Sequence, residues 1–146
     1  MNDLQWQDIV QALRDTEHTD RAVDAAAALK AKASIEDVPR LIELLSDDDF
    51  FVREAAAWPL SDLGRVDAIP ALVRAKHRGT DEGHDNDSLC AALADLVTLN
   101  PAAALPNVHA LFADPDTRNQ EAGRWLLEHC ESGMMPNTSL ERTRDR

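Results

Sequence analysis

Between Asp37 and Gly64 the chain carries two short apolar stripes at helical spacing. Val38, Leu41, Ile42 and Leu45 form the first, and Val52, Ala55, Ala56, Leu60 and Leu63 the second, with the polar stretch Ser46-Asp47-Asp48-Asp49 between them. Apolar residues recurring every three to four positions mark one face of a helix, so each stripe predicts a helix with a single side to bury. Two such helices joined by a short acidic turn make a hairpin.

The hairpin recurs. Val38-Pro39-Arg40-Leu41-Ile42 realigns on Ile69-Pro70-Ala71-Leu72-Val73 after 31 residues, and on Leu105-Pro106-Asn107-Val108-His109 after a further 36. The combined offset of 67 carries Arg53-Glu54-Ala55-Ala56 onto Gln120-Glu121-Ala122-Gly123, and Trp58 onto Trp125. For the middle copy, an offset of 36 sets Ala55-Ala56, Leu60 and Leu63 on Ala91-Ala92, Leu96 and Leu99, which leaves five extra residues near His77 to Asn86. Upstream, Ala25, Leu29 and Ala33 fall in the same columns, although Asp24 and Lys32 replace apolar residues there, as in a degenerate end repeat. Helices are predicted at roughly 4–14, 19–32, 35–46, 49–63, 67–77, 86–99, 102–112 and 116–130.

End signals support these bounds. Ser34 with Asp37 has the spacing of a capping box, Asp49 and Asp116 can cap second helices, and Pro39, Pro70 and Pro106 suit first turns, where a missing N–H costs little. Gly64 and Asn100 stand where a left-handed residue would end a helix. Pro59 removes the N–H that would bond Ala55 and crowds that carbonyl, which costs stability or kinks the helix unless packing compensates.

The run from Val38 to Gly64, with its proline, its Leu-Leu pair, an acidic turn, Val-Arg-x-Ala-Ala and a closing Leu-Gly, resembles the HEAT repeat, in particular the PBS-lyase HEAT-like variety. Residues 37–64 match that pattern closely, 67–99 and 102–130 moderately and 4–33 weakly. The resemblance implies an all-α fold, an α-solenoid with a right-handed superhelix of about four HEAT-like hairpins. Its second helices would line a concave surface. It implies little about activity, because one fold hosts many functions. The HEAT-like hydroxylases carry His-Glu pairs, whereas this chain has only the reversed pairs Glu17-His18 and Glu128-His129.

One domain is expected over 1–131, with hairpins at about 4–33, 34–64, 65–100 and 101–131. A flexible tail is expected at 132–146, where periodicity stops after a Gly and a Pro. With 44% hydrophobic residues the chain can support one continuous core. It has no apolar run of the roughly 18 residues needed to span a bilayer and no signal-peptide pattern, so no membrane association and a cytoplasmic location are expected. Cys90 and Cys130 have no metal-ligand spacing and are expected as free thiols.

Charge narrows the partners. Fifteen Lys and Arg against 27 Asp and Glu give a formal charge of −12, which repels phosphate backbones and favours a basic protein over nucleic acid. Many acids fall in the turns: Asp47, Asp48 and Asp49 in the second hairpin, and Asp81, Glu82 and Asp85 in the third. Stacked turns would gather them on one edge, where they cap helices and could steer a basic partner. On the second helices, Glu54, Ala57, Trp58, Ser61 and Asp62 lie about half a turn from the core columns. Phe51 lies seven residues before Trp58, and Glu121 and Trp125 are the fourth-hairpin equivalents of Glu54 and Trp58.

The segment His77 to Asp87 holds two His and four acids but matches no calcium-loop or zinc spacing, and is expected as a polar loop. With no phosphate-cradling loop and no nucleophile–base pair, the chain is expected to be no enzyme and to need no cofactor or metal. The expectation is a non-catalytic protein-binding module, with an inhibitor or immunity type against a basic partner as its narrower form. The alternatives are a general scaffold or an accessory subunit resembling bilin lyase HEAT-like proteins.

Overall fold

The computed structural model describes residues 1–135, so most of the expected tail lies outside the described residues. These fold into eight helices and no strand: α1 Asp3–Leu13, α2 Thr19–Lys32, α3 Val38–Leu44, α4 Phe50–Asp62, α5 Ile69–Asp81, α6 Asp87–Leu99, α7 Pro101–Phe112 and α8 Thr117–Met134. Consecutive helices pair as four hairpins, and the second helices α2, α4, α6 and α8 pack side by side in an unbroken row. First helices meet one another only sparsely. The layer whose members lie closer together is the inside of a bend, so the stack curves toward the second helices. The architecture is an α-solenoid around one core, with Leu41, Leu60, Leu72, Leu93, Leu96 and Leu126 fully buried.

Local chemistry sets each end. Ser34 and Asp37 form the capping box that opens a short 3₁₀ lead-in, Ile35–Asp37, before the Pro39 helix, and an equivalent lead-in, Val66–Ala68, precedes the Pro70 helix without a side-chain cap. Asp49 accepts from the Phe51 N–H at 2.8 Å, and Asp116 from the Arg118 N–H at 2.9 Å, as caps of α4 and α8. Gly64, at φ 65°, closes α4 with the paired bonds Gly64 N–H to Ser61 O and Arg65 N–H to Leu60 O, the Schellman arrangement that a left-handed glycine permits.

Four details differ from the sequence reading. Asn100 is not left-handed; at φ −132° it ends α6 by donating its side-chain amide to Leu96 O and opens α7 in the same step. Pro101 therefore takes the first-turn place, and Pro106 lies inside α7, where the carbonyl left without a donor belongs to exposed Ala102. The extra residues of the third hairpin prolong α5 to Asp81 rather than forming a loop. There Gly83, at φ 80°, closes the helix through His84 N–H to Gly79 O. Finally, α8 runs to Met134, past Gly133, because a hydrogen at that α-carbon is what lets α8 lie on α6: a Cβ would sit 2.2 Å from Thr98 O.

The register of α6 also shifts by one. Buried Leu89, Ala92, Leu93, Leu96 and Val97 correspond to Val52, Ala55, Ala56, Pro59 and Leu60 at an offset of 37, and the caps Asp49 and Asn86 obey the same offset. Ala91 and Leu99, expected in core columns, face solvent instead. Leu99 is 75% exposed.

Candidate protein-docking face

The turn edge and the open face of the second helices have different chemistry. At the turns, one side-chain-to-backbone motif repeats: the carboxylates of Asp15, Asp47, Asp85 and Asp114 each accept the N–H two residues on, at 2.8 to 3.0 Å. Arg53 donates to Asp47 O at 2.8 Å, and its equivalent Gln120 donates to Asp114 O at 2.8 Å. The two side chains replace each other because both present an N–H at the same reach.

Arginines then stitch hairpin to hairpin. Arg14 pairs with Asp47, Arg78 with Asp48 at 2.9 Å, Arg53 with Glu82 at 2.6 Å, and Arg118 with Asp81 at 3.0 Å. All three junctions between neighbouring hairpins are bridged. Arg53 is 1% exposed, and its guanidinium also lies 5.5 Å from the Phe50 ring, which stacks on His84 at 4.2 Å. Burial pushes the Asp47 carboxyl up, but the Arg14 guanidinium and the Asp49 N–H outweigh it and hold the group below the usual carboxylate range. Thus Asp47, Asp48, Asp81 and Glu82 are engaged inside the molecule, and Asp49 is engaged by its cap. The segment 77–87 is likewise pinned, through His77 on Asn119 at 2.8 Å and Asn86 on Lys76 O at 3.0 Å.

The open face of the row is less committed. Ala57 and Ser61, expected there, are buried between neighbouring helices, which narrows the outward stripe of α4 to Glu54, Trp58 and Asp62. On α6 that stripe reads Ala91, Asp95 and Leu99, and on α8 it includes Glu121 and Trp125. Trp58 is half-buried and spans the row: its indole N–H donates to Ser88 Oγ of α6 at 2.9 Å, and Lys30 of α2 lies 5.0 Å from its ring. Trp125, also half-buried, meets His129 edge-on at 5.1 Å. Both rings therefore pack with one side and present the other.

Glu54 stands out electrostatically. Burial pushes its carboxyl up, and the charge of Asp85 pushes the same way, while no ion partner approaches it among the described residues. Cys90, half-buried, has its thiol pushed up by burial, which disfavours the nucleophilic thiolate. Among the described residues no three His, Cys, Asp or Glu side chains converge as metal ligands, and no helix is long and apolar enough to cross a membrane.

Sequence reasoning missed Val23, Lys30 and Leu99 on this face. The cap-to-cap spacing from Asp49 to Asn86 held the signal for Leu99, since it gives the offset of 37 directly.

A stack of paired helices with capped acidic turns and an inward row of second helices defines a class of elongated repeat proteins. A family model described as HEAT repeats matches residues 7–83, just over half of the chain, and the chain belongs to that family. HEAT repeats generally mediate protein–protein interaction and are generally non-catalytic. The same hairpin motif continues beyond the matched region, in Asp114, Asp116 and Gln120. No curated protein and no solved structure matches the chain.

Proposed function

We propose that the protein binds a basic protein partner non-catalytically, through the open face of the second helices around Glu54, Trp58, Asp62, Glu121 and Trp125. Glu54 carries this reading. A carboxylate that is half-buried, repelled by Asp85 and lacking a described counter-ion is held at a cost, and a partner's Lys or Arg placed there would remove that cost. Trp58 and Trp125 supply rigid apolar surface beside Glu54 and Glu121, the residue type that dominates binding energy at interfaces. A net charge of −12 would speed the encounter with a basic surface.

The arginine-stitched turn edge contributes field rather than contacts in this reading, because most of its carboxylates already have partners. Within this function, an inhibitor or immunity-type role against a basic protein in the cytoplasm is the narrower form. The domain that binds is the whole stack, 1–131 with the last turn of α8.

Affinity capture from native extract, read by mass spectrometry, tests it. The wild-type chain retains a basic protein that elutes with salt, and Glu54→Gln retains it at least several-fold less well. Capture of an acidic protein, or retention indifferent to both salt and Glu54→Gln, counts against the reading.

A further inference from the structure

The seam between α2 and α4 is an apolar groove with two depressions along it. The first, of about 230 Å³, is walled by Leu13, Ala22, Val23 and Phe51 beneath Asp15 and Asp49. The second, of about 260 Å³, is floored by Ala26, Ala27 and Ala55 and walled by Trp58 and Lys30. On α4 the walls progress from Phe51 through Ala55 to Trp58, and on α2 from Val23 through Ala27 to Lys30. Steps of three to four residues on both helices make the two depressions parts of one track, about 10 Å between centres by the helical rise.

The occupant can be argued from what the groove lacks. Both walls are helices whose backbone groups are spent internally, so an extended peptide would find no strand edge to pair with, and its own backbone would be left unsatisfied in an apolar slot. A guest that satisfies its own backbone is a helix. Its residues i, i+3 or i+4, and i+7 cover the same 10 Å. The acids at the groove set its charge: Asp49, which lines the first depression, has no ion partner among the described residues, nor do Asp20, Asp24 and Glu54, each next in sequence to a lining residue, whereas Asp15 is paired with Arg21 and the ammonium of Lys30 stands at the Trp58 end.

We infer that this groove receives one amphipathic helix of the protein partner, with apolar anchors spaced i, i+4, i+7 and Lys or Arg concentrated toward the end seated at Phe51. The inference rests on the protein-binding reading above and adds where the partner's main element lies and what it looks like. Small alanines on α2 let a guest backbone approach, and Val23, 53% exposed, and the open side of Trp58 supply its contacts.

Selection of a random 16-residue phage-displayed peptide library on the full chain, followed by anisotropy titration of the enriched peptide, tests it. Enriched sequences carry two or three apolar residues at helical spacing with basic residues toward one end, and the peptide gains helical circular dichroism on binding. Ala27→Arg and Val23→Arg, both at exposed positions, weaken it at least tenfold, while Glu128→Gln, which shifts the net charge by the same +1 by removing an anion on α8, leaves it within twofold. Absence of enrichment, a consensus without helical spacing, or affinity untouched by Ala27→Arg overturns the groove assignment. If the groove fails while a basic protein is still captured and Glu54→Gln still weakens it, the protein-binding reading stands alone.

Discussion

Arg53 shows how one side chain can decide the junction of two hairpins. Its guanidinium is buried, holds Asp47 O, Asp48 O and Glu82, and stands near Phe50. Removing Arg53 leaves two turn carbonyls and Glu82 without their donor at the hairpin junction, whereas the exposed, solvent-screened pair Arg118–Asp81 contributes far less. Arg53→Ala is therefore expected to lower urea stability several-fold more than Arg118→Ala, and equal losses would contradict the anchoring role. Acid titration reads the same network. Asp47 and Asp37, the latter held low by Arg40 and the Ser34 N–H against the push of burial, have folded pKa values below their unfolded ones. Their stabilisation is complete above the unfolded value of about 3.9 and is lost as pH falls through the lower folded values. Glu54 runs the other way: its raised pKa costs stability as pH climbs above about 4.3, the unfolded value. Glu54→Gln should raise the melting temperature at pH 7 and leave it nearly unchanged near pH 4. A drop at pH 7 would mean that the carboxylate has a structural partner.

At the scale of elements, close backbone approach sets where helices can lengthen. At Gly79 a Cβ would lie 2.2 Å from Asn86 Oδ1, and at Gly133 2.2 Å from Thr98 O. The first obstacle is a side chain that can swing away from Lys76 O and Thr80. The second is backbone, which cannot. Gly133→Ala should accordingly peel the last turn of α8 from α6, seen as faster amide exchange from Cys130 onward, while leaving α1 to α5 unaffected; unchanged exchange would refute the contact. The caps at Ser34, Asp49, Gly64 and Asp116 were legible in the sequence because each depends on residues within one turn. The long α5 and the continuation of α8 were not, since they depend on contacts of Asn86 and Thr98 that apolar columns do not encode, and the one-residue shift of α6 was legible only in the cap spacing from Asp49 to Asn86, not in the apolar columns.

Across the whole molecule, the acids divide into two populations that composition cannot separate. Asp47, Asp48, Asp81 and Glu82 neutralise arginines between hairpins, while Glu54, Asp62 and Glu121 face outward from the second helices beside Trp58, Leu99 and Trp125. The repeat and its all-helical solenoid could be read from spacing, because the offset of 67 repeats both helices of the hairpin. Which acids were spent could not, because pairing joins residues about 30 positions apart. The proposed docking surface is the second-helix row, not the first-helix layer. Hydroxyl-radical footprinting of the chain with and without its captured partner tests this most directly. Trp58, Leu99 and Trp125 should lose reactivity on binding while Leu4 and Ile35, exposed outside that row, keep theirs. Protection of Leu4 and Ile35 with Trp58 and Trp125 unchanged would contradict it.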